Sequence, residues 1–378
     1  MQPKIYLGFV DDWEVRGNGS GDPRVLQFEP MKRLVSIFHR YGIKASFNVE
    51  VMQQLAYRKY EEQYPDLKPI ADEWEKVVLG TYAQGHDIQP HIHTQWTQAR
   101  YLGNMNWQVS GDWSILNYSA DEVRAILADA VTYLHSVIAR LNPEYKCTWF
   151  RSGSWCIAPS PHMLSILVEL GFMFDMSIVG GVYFDTPHVR LDYRNIEEDF
   201  VPYYPLMDDA RRVSGRMENI VSIPTNSFHA SPTLLFRRDA SRAFDKLKVK
   251  LSVRARKTRQ CRGVSGDEWT NKSAKSFSGK ARFFLERYTR GAHLVSDIAH
   301  LNYPLLLAML DSIRERATRM GIAHVPIILE NHTKDIEDFS DIERFVAHIA
   351  QAPDVNCITL SEMANKFDDG TFSIRRTA

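Results

Sequence analysis

The chain has 378 residues, which is enough for one large α/β domain or two ordinary ones. Hydrophobic residues make up 44% of the sequence and charged residues 24%, as is usual for soluble globular proteins. The 46 basic side chains balance the 46 acidic ones, so the chain as a whole is not a polycation and its overall charge argues neither for nor against a nucleic-acid partner. We expect no nucleic-acid partner.

The cysteines and the hydropathy pattern predict the compartment. The four cysteines are far apart and form no CxxC pair, which favours reduced thiols over a disulfide framework. The opening residues MQPKIYLGFVDD lack the charged, apolar and cleavage regions of a signal peptide. No run is long and apolar enough to cross a bilayer. We therefore expect a cytoplasmic protein.

The first predicted strand, residues 4–10 (KIYLGFV), is nearly all apolar and leads directly into Asp11 and Asp12. Two adjacent carboxylates repel each other when both are ionised. Acids at the end of a strand can be caps or loop ligands. The sharper interpretation is that one is a metal ligand and the other a base.

Helices and strands then alternate. Residues 30–42 follow helical spacing, residues 45–49 (ASFNV) form a second strand, and residues 70–79 are again helical. A third strand begins the next stretch. Alternation with short connections predicts parallel strands in a barrel or an open sheet.

Residues 85–96, GHDIQPHIHTQW, hold His86, His91 and His93 within eight positions. Neutral imidazole is the commonest protein ligand for a transition metal, so this density indicates a metal site. On an extended segment His91 and His93 point to one face, whereas a helical turn would bring His91 together with Gln95. A solvated His-rich turn is the alternative.

In the middle of the chain, a predicted loop is followed by a helix and a strand. Residues 104–113 are predicted to be a loop over the site, and Ser119 with Glu122 forms a capping box before a long helix. In the strand-like run 147–157, Arg151 follows apolar residues and requires a carboxylate partner. Arg151 would form either a structural salt bridge or a contact that orients Asp11.

The remaining elements are a helix at 161–171, strands at 172–178 and 220–224, a helix at 302–320 and a strand at 325–329. Asp175 lies inside the apolar strand 172–178 and requires a partner. His332 follows the strand 325–329, at the position where α/β folds place chemistry. Ser340 and Glu343 predict a second capping box, and a last strand and helix follow from residue 357.

The segment at about 237–290 differs from the rest of the chain. Its basic run KLKVKLSVRARKTRQCR is followed by Ser, Gly and Lys, which predicts an insertion or a basic arm. A solvated basic helix is one interpretation. If the segment binds a partner, phosphate or anionic lipid is expected, with contact to a membrane surface.

The carboxyl ends of parallel barrel strands meet on one face, so these polar residues are expected to converge there. The predicted result is a hydrolytic metal site in which Asp12, His91 and His93 hold Zn²⁺ or a similar divalent ion. Asp11 would take a proton from water, and His332 would protonate the leaving nitrogen. Arg151 would hold Asp11 ionised.

The sequence resembles the NodB-type polysaccharide deacetylases, the carbohydrate esterase 4 group. The matching motifs, in the order known from that family, are FVDDW with Asp11 and Asp12, GHDIQPH with His91, the pair Arg151 and Trp155, FDMSI with Asp175, and LENHTK with His332. The resemblance implies a distorted (β/α) barrel as a single domain over residues 1–378, with the basic insertion at about 237–290. It also implies a base role for Asp11, a metal role for Asp12 and a catalytic place for Asp175.

One position departs from the family pattern, because Gln95 stands where the family has its second metal histidine. There are three alternatives: His93 replaces that histidine, Gln95 coordinates through its amide oxygen, or the metal site is degraded. The resemblance implies a metal-dependent hydrolase that removes an N-acyl group, with acetyl expected and formyl open, from an amino sugar or glycan in surface polysaccharide biosynthesis. Trp155 and Trp96 would contact the sugar, and no stable protein partner is predicted. The alternatives are a non-catalytic sugar-binding barrel and a hydrolase of another amide.

Overall fold

The computed structural model describes residues 2–240, 287–336 and 338–377. Most of the predicted basic insertion at about 237–290 therefore lies outside the described residues. The strands, in chain order, are β1 (Lys4–Trp13), β2 (Ser46–Glu50), β3 (Asp87–Ile92), β4 (Arg100–Gly103), β5 (Asn106–Gln108), β6 (Trp149–Ser152), β7 (Phe174–Asp175), β8 (Tyr183–Asp185), β9 (Arg190–Asp192), β10 (Pro205–Leu206), β11 (Asp209–Val213), β12 (Val221–Ser222), β13 (Ser227–Ala230), β14 (Ala292–Val295), β15 (His324–Asn331) and β16 (Val355–Cys357). The α-helices with both ends in the described residues are α1 (Glu29–Arg40), α2 (Val51–Tyr60), α3 (Lys68–Ala83), α4 (Ala120–Ile138), α5 (Met163–Glu169), α6 (Tyr303–Arg319), α7 (Ser340–Ile349) and α8 (Leu360–Asp368).

The main sheet is parallel and strongly curled. Its strand order is β12-β7-β6-β3-β2-β1-β15, and β16 pairs with the first half of β1. Isolated parallel bridges join Thr225, just after β12, to Val179 and to Ile328 of β15, so the two ends of the sheet approach each other. The predicted (β/α) barrel is confirmed.

The side chains of β1 alternate between two packed layers, as they must on a pleated strand. Phe9 and Trp13 face the helices, since Phe9 lies 5.2 Å from the ring of Phe38 in α1 and Trp13 lies 5.6 Å from Trp74 in α3. Val10 belongs instead to the apolar cluster inside the barrel. Even-numbered residues of β1 therefore face the interior and odd-numbered ones the helices.

The predicted helix ends are partly confirmed. Ser119 and Glu122 form the capping box of α4, as the sequence indicated. The box predicted at Ser340 and Glu343 is wrong, because Ser340 is the first residue of α7 and its amide and hydroxyl groups donate to Asp338. The carboxylate two residues earlier replaces the expected cap.

Three local features differ from the predictions. Strand β1 continues to Trp13 rather than ending at residue 10. Helix α2 was not predicted, because it buries polar side chains such as Gln53 and Gln54 and so has no clear apolar period. The predicted loop 104–113 contains β5, which pairs with β4 in a hairpin.

The cysteines and the helices bear on two further predictions, those of reduced thiols and of no membrane-spanning segment. Cys147, Cys156 and Cys357 are free thiols, as predicted, whereas Cys261 lies outside the described part. Among the described residues, no helix combines the length and the apolarity that a bilayer crossing requires.

Candidate metal centre

A cavity of about 550 Å³ opens at the carboxyl ends of β1, β3, β6 and β15. Its polar wall includes Asp12, His91, His93 and His332, which are far apart in the sequence. These four predicted site residues therefore converge, because parallel strands bring their carboxyl ends to one face of a barrel.

Asp11 does not share this cavity with Asp12. Because β1 remains extended to Trp13, Asp12 and Glu14 point into the barrel and Asp11 points toward the helix layer. One oxygen of Asp11 accepts a hydrogen bond from the side chain of Asn331, and the other is buried without a partner. Burial raises the pKa of Asp11 well above its usual value. This position contradicts the expected role of Asp11 as the base in the cavity.

Arg151 is completely buried and pairs with residues other than the predicted one. Its Nη1 lies 3.3 Å from Asp12 Oδ2 and 3.3 Å from Glu330 Oε1. Its Nη2 donates to Thr225 Oγ1 at 2.8 Å. The prediction that Arg151 holds Asp11 is wrong, again because the strand alternation turns Asp12 toward Arg151.

The carboxylate of Asp12 is held on both oxygens. Asn48 Nδ2 donates to Oδ1 at 2.9 Å, and Arg151 contacts both oxygens. Burial by itself would raise the pKa of Asp12, but Arg151 and the nearby imidazoles of His91 and His332 lower it below its usual range. Asp12 is therefore an ionised carboxylate in a buried site.

Two imidazoles direct one nitrogen each at Asp12. His91 Nδ1 lies 3.2 Å from the Arg151 carbonyl oxygen, and His91 Nε2 lies 4.0 Å from Asp12 Oδ2. His332 Nδ1 lies 2.8 Å from Asp297 Oδ2, and His332 Nε2 lies 3.9 Å from Asp12 Oδ2. A carbonyl or carboxylate oxygen only accepts, so Nδ1 carries a proton in each ring, and in the neutral ring Nε2 keeps a lone pair that can bind a metal. Metal-binding histidines are held in this way. Burial would lower the pKa of His332, but Asp297 raises it to about 10, so metal binding at His332 Nε2 would displace a proton.

The residues fit a divalent cation. Tetrahedral ligands about 2.1 Å from an ion lie about 3.4 Å apart. The separations of 3.9 and 4.0 Å around Asp12 Oδ2 would therefore need to contract by about half an ångström. Asp12, Glu330 and His332 form one group with ligand atoms within 4.8 Å, and Glu14, Glu50, His91 and His93 form an adjoining group. This set of carboxylates and imidazoles is typical of zinc sites.

His93 belongs to the adjoining group rather than to the contacts of Asp12. Its Nδ1 lies 2.6 Å from Glu50 Oε2 and 3.2 Å from Glu14 Oε2. Burial would lower the pKa of His93, but the two carboxylates raise it. His93 thus links Glu50 to Glu14, whose other oxygen contacts Lys334 and lies 3.7 Å from His332 Nε2.

Gly153 allows the His93 ring to pack closely against the start of the loop after β6. A methyl group at this position would lie 2.6 Å from the Ile92 carbonyl oxygen and 2.7 Å from His93 Cδ2. We expect Gly153→Ala to lower the free energy of unfolding by about 1–3 kcal/mol, because neither the backbone nor the buried ring has room to move. Urea denaturation measures this change.

Gly80→Ala is the matched control, since an added Cβ there meets nothing within 4 Å in the helix α3. Because alanine favours a helix more than glycine does, the free energy of unfolding of this variant should rise by about 0.5–1 kcal/mol. A Gly153→Ala protein as stable as the wild type would contradict the close packing of His93.

Two other residues considered for the site, Gln95 and Asp175, lie in different places. Gln95 lines the cavity, where its Nε2 donates to the Gly17 carbonyl at 3.3 Å and its Oε1 is buried without a partner. Asp175 is buried behind the cavity wall with Ser177 and Ser222, and burial raises its pKa to about 6. The expectation that Asp175 acts in the cavity is therefore not met by its position.

The two tryptophans that were predicted to contact the sugar, Trp96 and Trp155, lie in different environments. Trp96 is a core residue packed against Tyr57 and Trp107, so its predicted place against the sugar is wrong. Trp155 does line the cavity. Its backbone is left-handed with φ of 55°, its Nε1 donates to Glu330 Oε1 at 2.9 Å, and its ring stacks on Phe184. Such backbone strain is found at functional sites.

Sequence reasoning missed several residues of this centre; they are Glu14, Glu50, Asp297, Glu330 and Lys334. Glu14 lies two positions after Asp12, so a longer β1 would have placed both on one face. Glu50 and Glu330 each lie at the end of a buried strand, which was a usable signal. Asp297 follows the undescribed segment and had no signal in the sequence.

Glu330 is the missed residue with the most unusual environment. Its Oε1 contacts Arg151 and Trp155, and its Oε2 is buried without a partner. Burial raises the pKa of Glu330 to about 7, against the opposing effect of Arg151. Glu330 therefore binds a proton more readily than an ordinary carboxyl group does.

Comparisons with known proteins give a fold but no sequence match. No family model and no curated protein matches the sequence. A provisionally assigned polysaccharide deacetylase from Mycobacterium smegmatis is 14% identical over 100% of this chain and 95% of its own, with a TM-score of 0.50. A Pseudomonas aeruginosa PAO1 protein with the same provisional assignment is 12% identical over 98% and 93%, with a TM-score of 0.48.

A GH57 branching enzyme from Thermococcus kodakaraensis is also 12% identical, over 97% of this chain and 71% of its own, with a TM-score of 0.48. At these identities a structural likeness concerns the fold and not the reaction. The chain therefore shares its fold with polysaccharide deacetylases, and the predicted resemblance to the NodB-type family is confirmed at the level of the fold.

Proposed function

We propose that this chain is a metal-dependent hydrolase that removes an N-acyl group, acetyl in the first instance, from an amino sugar or glycan. The observation that carries the proposal is the convergence of His91 Nε2 and His332 Nε2 on the carboxylate of Asp12. The fold shared with a provisionally assigned polysaccharide deacetylase supports the same class of substrate. A role in surface polysaccharide biosynthesis remains a prediction from the family resemblance.

Asp12, His91 and His332 would hold the ion, for which zinc is the first candidate. An ion held there would supply Lewis-acid chemistry, namely polarisation of an amide carbonyl and a lowered pKa of water. Arg151 keeps Asp12 ionised and fixes Glu330 beside it. The Asp297 carboxylate and the Arg151 carbonyl hold the two rings in the tautomer that leaves Nε2 free.

Glu330 would take the proton of the attacking water on its free Oε2. The same carboxyl group would then give that proton to the leaving nitrogen, so one residue performs both transfers. Trp155 donates to Glu330 Oε1 and keeps Oε2 directed away from that contact. This assignment replaces the base role predicted for Asp11 and frees His332 to act as a ligand.

Zinc content and affinity of the reconstituted chain test the ligand set, with His91→Ala, His93→Ala and His332→Ala compared with wild type. We expect about one zinc per chain in the wild type, and losses of more than about 100-fold in affinity for His91→Ala and His332→Ala. His93→Ala should lose only about 10-fold, as is typical of an outer-shell partner. His39→Ala, on the exposed face of α1, is the control.

Deacylation of N-acetylglucosamine and its short oligomers by the zinc-loaded chain completes the test. Zinc-dependent release of acetate would support the proposal, and failure to bind zinc after reconstitution would refute it. If His93→Ala loses zinc and His332→Ala keeps it, the predicted set of Asp12, His91 and His93 is correct and His332 keeps its predicted role as acid.

A non-catalytic sugar-binding barrel is the second candidate. The specific observation in its favour is Gln95, which occupies the place of a family metal ligand and has an amide oxygen without a partner. Sugar binding without acetate release in the zinc-loaded chain would select this candidate.

A further inference from the structure

A buried arginine side chain in another part of the cavity wall has no role in the proposed reaction. Arg238 lines the same cavity as Asp12 and Glu330, and its side chain is only 3% exposed. Its Nε donates to Asp239 Oδ1 at 2.8 Å. Its Nη2 is buried and has no hydrogen-bond partner in the described structure. A buried guanidinium nitrogen without an acceptor is costly, so this wall is complete only when an acceptor occupies the cavity.

A second arginine shares the described carboxylate partner of Arg238. Arg287 lines the same wall, and its Nε and Nη2 lie 3.4 Å from Asp239 Oδ2. The hydroxyl group of Tyr288 donates to the same oxygen at 2.6 Å. Among the described residues, the carboxylate of Asp239 therefore serves two guanidinium groups.

We infer that Arg238, assisted by Arg287, forms an anion subsite for a phosphate or carboxylate group carried by the sugar. This inference rests on the proposed function, since it places the acylamino group of the same ligand over Asp12. Guanidinium groups match phosphate and carboxylate with paired hydrogen bonds. The ring of Trp155, in the wall of the same cavity, offers an apolar face to the sugar. The substrate class is thus an anionic N-acyl amino sugar rather than a neutral one.

Calorimetric binding to the full chain tests the subsite without requiring turnover. The probes are N-acetylglucosamine, its 6-phosphate and N-acetylglucosaminuronic acid. We expect at least one anionic probe to bind about tenfold or more tightly than the neutral sugar, because a charge-assisted hydrogen bond is made only with the anion. Comparison of the two anionic probes distinguishes phosphate from carboxylate.

Arg238→Gln should abolish this preference. Arg237→Gln, which changes the same charge at the exposed neighbouring position, should retain it. If Arg238→Gln does not fold, Arg287→Gln should reduce the preference by several fold. Equal binding of all three probes to the wild type, or a preference unchanged in Arg238→Gln, would overturn the inference. Failure of zinc binding or acetate release would instead count against the proposed reaction, because the binding comparison does not depend on either.

Discussion

Replacing Glu330 with glutamine is expected to lower kcat for amide hydrolysis by about 10²–10⁴-fold, which is the usual contribution of a positioned general base. The change keeps the shape of the side chain but removes the proton acceptor at Oε2, whose environment contains no other hydrogen-bond partner in the described structure. Zinc content should stay near that of the wild type, because Asp12, His91 and His332 remain. Steady-state kinetics of acetate release, with metal analysis of the same preparation, measures both quantities.

Asp11→Asn is the matched control for this experiment, because the sequence motif and the structure disagree about these two residues. Asp11 faces the helix layer, and the oxygen that accepts from Asn331 would remain in the variant. We expect its kcat to fall by no more than a few fold. If Asp11→Asn abolished turnover and Glu330→Gln did not, the family role of Asp11 would be restored and the present base assignment would be wrong.

Replacing Arg151 with methionine is expected to lower the free energy of unfolding by about 3–5 kcal/mol, the usual cost of removing one partner from a buried ion pair. Asp12 and Glu330 would lose the cation that they share in a buried site, and Thr225 would lose a donor. Urea denaturation of the metal-free protein measures the effect without the stabilisation that a bound ion adds.

Arg124→Met is the matched control for the Arg151 variant, since Arg124 pairs with Glu169 and Asp121 on the surface of α4. Exposed pairs contribute about 1 kcal/mol or less, so this variant should resemble the wild type. Equal stability of the two variants would mean that the contacts of Arg151 with Asp12 and Glu330 do not stabilise the fold.

The order and type of the main elements could be read from the sequence. Apolar runs such as residues 4–10 and 325–329 predicted buried parallel strands, and the capping box at Ser119 located the longest helix. The elements that were missed or shortened have local reasons. Helix α2 buries glutamines, and β7 and β12 each extend over only two residues because their pairing depends on neighbours from elsewhere in the chain.

The sequence by itself determined which polar residues stand at strand ends, and Asp12, His91, His93 and His332 do line one cavity. It did not determine which way each side chain faces or what it contacts. Strand β1 is three residues longer than expected, so Asp12 keeps its predicted place in the cavity wall whereas Asp11 faces the helix layer, because side chains alternate along a strand. His332 contacts the Asp297 carboxylate, and His91 contacts the Arg151 carbonyl. These partners come from distant positions in the sequence that only the folded barrel brings within hydrogen-bond range.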